Sequence, residues 1–184
     1  RCATAACTLV DMKHSLTIAV FIALAALSGG CIKKGSVSEG IPLSAKVSSY
    51  KSASIAVTAP PGTKNVEVLR TELTNKVREA GLVSEVVDTG GELGIMLTVK
   101  KLDEGSAGLT AMAGNAGSAE VIVDVKFADT KESKDVGQIT VTGNSKRNGQ
   151  VSVNGINTAA ASDQTNIAYA EAAIQIVEYL KQHR

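Results

Sequence analysis

The chain has no tryptophan, and aromatic residues make up 3% of its 184 positions. Beyond position 31 it keeps one Phe and three Tyr. Platforms that stack bases or sugars need such rings, so nucleic-acid and glycan binding by stacking are poorly provided for. Histidine, the commonest general base, stands at His14, in an apolar leader, and at His183, beside the C-terminus. Neither position suits a core cleft, which excludes Ser-His-Asp and Cys-His catalysis. Cysteine is equally scarce: Cys2 and Cys7 precede the first Met, and Cys31 is the last. A chain starting at Cys31 can form no internal disulfide, and with one terminal His it cannot assemble a zinc set, so no cofactor or metal is expected. From Cys31 onward, 17 Lys plus Arg face 17 Asp plus Glu. No basic footprint for a phosphate backbone exists, and no nucleic-acid partner is expected.

What is present begins with "MKHSLTIAVFIALAALSGGC", Met12 to Cys31. A short basic start, an apolar run from Leu16 to Leu27 and then small residues follow the three-part plan of a secretory signal. Such a run spans about 18 Å as a helix, short of the roughly 20 residues a bilayer requires. "LSGGC" resembles the bacterial lipobox, in which the cysteine thiol receives a diacylglycerol before cleavage on its N-terminal side. Leu27 sits one place further from the cysteine than in the usual pattern. The resemblance implies lipidation at Cys31 and a membrane partner reached through that anchor, which also removes the liability of a lone thiol in an oxidising compartment. Ile32, where an Asp would favour inner-membrane retention in enterobacterial lipoproteins, implies the periplasmic face of the outer membrane. Residues 1–11 read as sequence upstream of the start, 12–30 as the signal peptide, 31–51 as a flexible Ser/Lys/Gly tether, and 52–184 as a single domain.

In that domain "SASIAVTAP" predicts a strand stopped by Pro60 and Pro61. Val66, Leu69, Leu73, Val77 and Ala80 recur at helical spacing, with Gly81 fitting a left-handed stop. A short strand over Leu82 to Val87, a turn at Gly90 and Gly91, and a strand with Leu93, Ile95, Leu97 and Val99 inward come next. "SAEVIVDVKFADT" alternates through Ala119, Val121, Val123, Val125 and Phe127, and "VGQITVTGNSK" completes a hairpin with it. Asn148 and Gly149 offer a further turn toward "QVSVNG". A C-terminal helix over Ser162 to Gln182 is expected to turn Ile167, Ala170, Ile174 and Val177 inward. The order β-α-β-β-β-β-α, with one further short strand, makes this an α/β (α+β type) protein. We expect a mostly antiparallel or mixed sheet of about five to six strands with two helices on one face.

Candidate chemistry is thin, and no catalytic residue is assigned. Ser48 to Lys51 match S-x-x-K but lead into a strand, and no K-T-G partner appears. Residues 105–117 carry Gly105, Gly108, Gly114 and Gly117 without the Lys-Ser/Thr of a phosphate loop. Their Leu109 and Met112 are apolar side chains that must fold back or meet a partner, which makes them the candidate protein contact. Glu120 and Asp124 lie on the polar side of their strand, where alternation alone explains them; a carboxylate-dependent hydrolase is the alternative reading.

"AGNAGSAEVIVDVKFADTKESKDVGQITVTGNSKRNG", ahead of a helix ending "AIQIVEYL", resembles bacterial envelope lipoproteins of the domain-of-unknown-function family numbered 4410. Gly117, Val121, Val123, Val125 and Asp129 fit that family's strand pattern. The family's Arg after the glycines is replaced by Ser118 and Ala119, and its turn Gly is missing from "TKESKD". The layout is also similar to lipoproteins of curli secretion and activators of peptidoglycan synthases. The family supplies no activity to carry over; a core without His, paired Cys or a phosphate loop, behind a tether and beside an apolar-tipped Gly loop, points to a non-enzymatic binding or assembly module of the envelope with a protein partner, the alternative being an accessory lipoprotein of a secretion or peptidoglycan-synthesis machine. Fold alone does not decide.

Overall fold

The computed structural model describes residues 35–104, 118–145 and 161–184. Strands β1 (Ser36–Ile41), β2 (Ser52–Thr58), β3 (Glu85–Val87), β4 (Leu93–Asp103), β5 (Glu120–Asp129) and β6 (Lys134–Asn144) form one sheet in the order β1-β6-β5-β4-β2-β3. The pairs β1/β6, β6/β5 and β5/β4 are antiparallel, while β4/β2 and β2/β3 are parallel. The sheet is therefore mixed. Helices α1 (Val66–Glu79) and α2 (Ala161–Gln182) complete the α+β fold.

Strict alternation explains the central strands. Val121, Val123, Val125 and Phe127 of β5 are fully buried, as are Leu93, Ile95, Leu97 and Val99 of β4 and Ile139 and Val141 of β6. With one face of each strand apolar, a register slip of one residue would turn all of these side chains into water. Helix α1 lays Leu69, Leu73 and Val77 on this core and stops at Gly81, whose φ of 57° suits glycine. The strand expected over Leu82 to Val87 shortens to Glu85–Val87, because Leu82 is buried in the turn and Ser84 and Glu85 donate their N–H groups to the Lys51 carbonyl.

Helix α2 is turned from the expected face. Ala168, Tyr169, Ala172, Ala173, Ile176 and Leu180 are buried with Val177, whereas Ile167, Ala170 and Ile174 are half-exposed. The cause is a close seam between α2 and β6. A Cβ on Gly143 would collide with the Ala168 carbonyl oxygen and come within 2.8 Å of the Ala172 nitrogen. The helix thus presents its smallest residues where its axis is nearest the sheet, and larger ones fill the flanks: Tyr169 reaches the Lys64 carbonyl (3.1 Å), and Tyr179 stacks on Phe127.

The tether expected over residues 31–51 is corrected from residue 35 onward. Ser36–Ile41 pairs with β6, Val47–Ser49 forms a 3-10 turn, and Leu43, Val47 and Tyr50 are buried. An edge strand exposed along its whole length needs backbone partners rather than an apolar pattern, so its composition resembles that of a linker. Gly35 is pinned as well: an added Cβ would stand 2.8 Å from the Thr142 carbonyl oxygen and 2.9 Å from Glu171 Oε1. The turn expected at Asn148 and Gly149 and the Gly-rich segment 105–117 lie outside the described residues.

Where β2 and β4 begin, Glu92 makes a knot. Its Oε2 accepts the Lys51 N–H (2.8 Å), its Oε1 meets Lys131 Nζ (2.7 Å), and its backbone N–H donates to Ser52 Oγ (3.1 Å). The hydrogen bond from Lys131, then that from the Lys51 N–H, hold its carboxyl below the usual range.

Two outcomes follow from this packing. Gly143→Ala should lower the urea midpoint by the equivalent of about 2 kcal/mol or more, whereas Gly40→Ala, whose Cβ would meet only the Gln138 carbonyl at 3.4 Å, should change it little. The lowered carboxyl of Glu92 adds stability above the unfolded value of about 4.3, and this is lost as pH falls through the folded value. Thermal melts across acid pH should show a shallower decline in Glu92→Gln than in the unaltered chain.

Candidate functional site

Among the described residues, no element covers the strand faces turned away from the helices. Across it runs a row fixed by register: Thr58 of β2 beside Thr98 of β4, Asp124 of β5, Thr140 of β6 and Ser38 of β1. Threonine suits such a place because its branched side chain fits the pleat while its hydroxyl bonds across strands. Thr58 Oγ1 and Thr98 Oγ1 are 3.2 Å apart, and Thr140 Oγ1 donates to Asp124 Oδ1 at 2.8 Å. Lys100, at the bulge between Val99 and Lys101, brings its Nζ to 3.7 Å from Asp124 Oδ2. Apolar Met96, 40% exposed, and half-buried Ile122 lie on the same face. Such a surface offers hydroxyl donors and acceptors around one neutralised carboxylate. It is equipped to bind a polar chain or a partner surface.

Asp124 and Glu120 belong to different rows. Glu120 stands beside Asp103 and Asn144, four residues along β5, so the two backbones are about 13 Å apart along the strand. Paired glycosidase carboxyl groups stand at most about 9.5 Å apart, so the structure does not join these two as a catalytic pair. Among the described residues no three of His, Cys, Asp and Glu converge as a metal site requires.

His183 is tied down rather than frayed. Its carbonyl accepts the Val47 N–H (2.9 Å), its Nδ1 lies 2.9 Å from the Tyr179 carbonyl oxygen, and its ring leans on Tyr179. The Tyr179 hydroxyl accepts the Leu43 N–H (3.0 Å) and donates to Glu39 Oε1 (2.8 Å). Burial, then this bond to Glu39, pushes its pKa up to about 12. The cluster clamps the segment after β1 to the end of α2. Ser48 and Lys51 are both exposed, on the 3-10 turn and just before β2, so S-x-x-K does not lie on a helix face as that motif requires. Cys31, Leu109 and Met112 lie outside the described residues.

A second feature escaped the sequence reading. Between α1 and the short edge strand β3 lies a cleft of ≈ 300 Å³ lined by Arg70, Thr74, Asn75, Arg78, Val86 and Asp88 among others. Spacings of four put Arg70, Thr74 and Arg78 on one helix face, which a three-residue strand is too short to cover. Arg70 meets Asp88 (3.3 Å) and Glu67 (3.8 Å), and Arg78 donates to the Val86 carbonyl at 3.1 Å. These surface pairs leave the cleft close to neutral. In sequence the two arginines are indistinguishable from an ordinary solvated helix face.

No family model matches the chain, and no curated protein does. The resemblance to family 4410 is thus not supported by a family model. Among solved structures it is similar to a PelC dodecamer from Paraburkholderia phytofirmans, 14% identical over 77% of this chain and 97% of that one, with a TM-score of 0.49. A minor lipoprotein from Acinetobacter baumannii is 18% identical over 71% and 91%, with a TM-score of 0.39. A protein of the DUF330 family from Xanthomonas campestris is 11% identical over 77% and 86%, with a TM-score of 0.44. Likenesses at this level say nothing of what the chain binds or how it assembles.

The two faces of β5 should respond differently to substitution. Val123→Asp places a charge in the core and should cost about 3 kcal/mol or more, while Asp124→Ala, which removes one part-exposed ion pair and one hydroxyl contact, should cost under about 1.5. Equal urea midpoints would mean that the faces are reversed.

Proposed function

We propose that the chain is a lipid-anchored module of the bacterial envelope, held to the membrane through Cys31 and acting by binding rather than by catalysis. The observation that carries this reading is the apolar run from Leu16 to Leu27, closed by small residues and by the last cysteine of the chain. A lone thiol in an oxidising compartment is a liability that acylation removes, and several acyl chains on one residue make a firm anchor. Ile32 after the cysteine favours the periplasmic face of the outer membrane.

Binding is favoured over hydrolysis by the carboxylates themselves. Asp124 is neutralised by Lys100 and occupied by Thr140, and Glu120 stands rows away. The contact with a protein partner is assigned to Leu109 and Met112, with the hydroxyl-rich sheet face as a second surface. A place as an accessory of a secretion or peptidoglycan-synthesis machine fits the same properties.

Metabolic labelling with an alkynyl fatty acid tests the anchor. The unaltered protein should label and Cys31→Ser should not; equal absence of label in both would make the chain a soluble protein. In a crosslinked pull-down, Leu109→Ser with Met112→Ser should lose the partner without lowering the melting temperature. An unchanged partner profile would remove those two residues from the contact.

A further inference from the structure

Where the chain enters the fold decides which end of it meets the membrane. Gly35 is fixed between the Thr142 carbonyl and the buried Glu171, which accepts a hydrogen bond from Gln175 Nε2 at 2.8 Å. It lies four positions after Cys31, a span of at most about 14 Å. A lipid on Cys31 therefore cannot suspend the domain freely; it holds one particular end within about a headgroup layer or two of the bilayer.

Strand directions identify that end. Ser36 pairs with Thr142, and Asp103, Glu120 and Asn144 stand side by side where β4 ends, β5 begins and β6 ends. The Ala119 N–H donates to Ser145 Oγ (2.9 Å), and the Ser145 N–H to the Ala119 carbonyl (3.0 Å). Both helices begin here: Lys64, before α1, meets Glu104 at 2.9 Å, and Asn65 donates to Asn166 of α2 at 3.2 Å. The opposite end gathers Lys51 and Ser84, His183 and Val47, and Glu92 and Thr130, each pair joined by backbone bonds.

Two lysines, Lys33 and Lys34, stand between Cys31 and Gly35 in the chain, so a lipid on Cys31 keeps both beside the headgroups, which attract them where the lipid is anionic. At the rim itself Lys64 and Lys101 stand with Glu67, Asp103, Glu104 and Glu120, so the short connection to the lipid and not charge selects this end.

We infer that the domain is seated end-on upon the bilayer: the end formed by Gly35, Glu104, Ser118 and Ser145 lies at the headgroups, and the end carrying Lys51, Ser84 and Thr130 faces away. This rests on the lipid anchor proposed above. Seated so, the open sheet face and the cleft at Arg70 and Arg78 stand upright beside the membrane, open to partners in the aqueous compartment.

The test uses the anchored protein in vesicles of phosphatidylglycerol and phosphatidylethanolamine. Ser118→Cys and Ser84→Cys each supply one free thiol for a fluorophore when Cys31 is acylated. Headgroup-nitroxide lipids should quench the label at position 118 several-fold more than that at 84. Equal or reversed quenching in protein that carries the fatty-acid label would overturn the orientation. Protein without the label would overturn the anchor instead.

Discussion

The seam between α2 and β6 is the constraint on which the rest of the fold depends. Because Gly143 lacks a side chain, the helix backbone at Ala168 and Ala172 comes against the strand itself. That proximity fixes the helix rotation. It sends Tyr169 toward the start of α1 and Tyr179 onto Phe127, where its hydroxyl holds both Leu43 and Glu39. The same rotation sets Glu171 and Gln175 under Gly35, so that the first described residue of the chain is gripped between helix and sheet. With few aromatic rings to fill a thick core, the protein brings its layers close and fills the space with Val, Ala and Leu.

The mixed topology gives this sheet a direction. β2 and β4 run parallel and β1 antiparallel to β6, so β1, β2 and β4 all run away from or toward one common rim, and both helices start at it. The knot at Glu92 and the clamp at Tyr179 and His183 close the other rim. The edges differ too. β3, with three residues, leaves α1 uncovered and makes the cleft, while β1 is longer and carries Val37 and Ile41 into solvent.

What the sequence discloses follows from how strongly physics marks each element. β4, β5 and β6 alternate with period 2 because one face is dry, and their inward residues can be read directly. Leu69, Leu73 and Val77 mark α1 for the same reason. The inward face of α2 is not legible, since alanines, tyrosines, Glu171 and Gln175 make the contact while Ile167 and Ile174 stay half-exposed; volume at a close seam outweighs hydrophobicity. β1 is hidden because an edge strand satisfies only backbone groups. The separation of Glu120 from Asp124 was available from strand rise alone. The cleft was not, for it arises from the brevity of β3 rather than from anything special in Arg70 or Arg78.

The central claim joins an address to this architecture: a module whose first fixed residue lies four positions from a lipid. Mass spectrometry of the N-terminal peptide from membrane-extracted protein bears on it most directly. The account predicts a peptide beginning at Cys31 and heavier by a diacylglyceryl group, with or without a further acyl chain. An unmodified N-terminus at another residue, recovered from the soluble fraction, would contradict it.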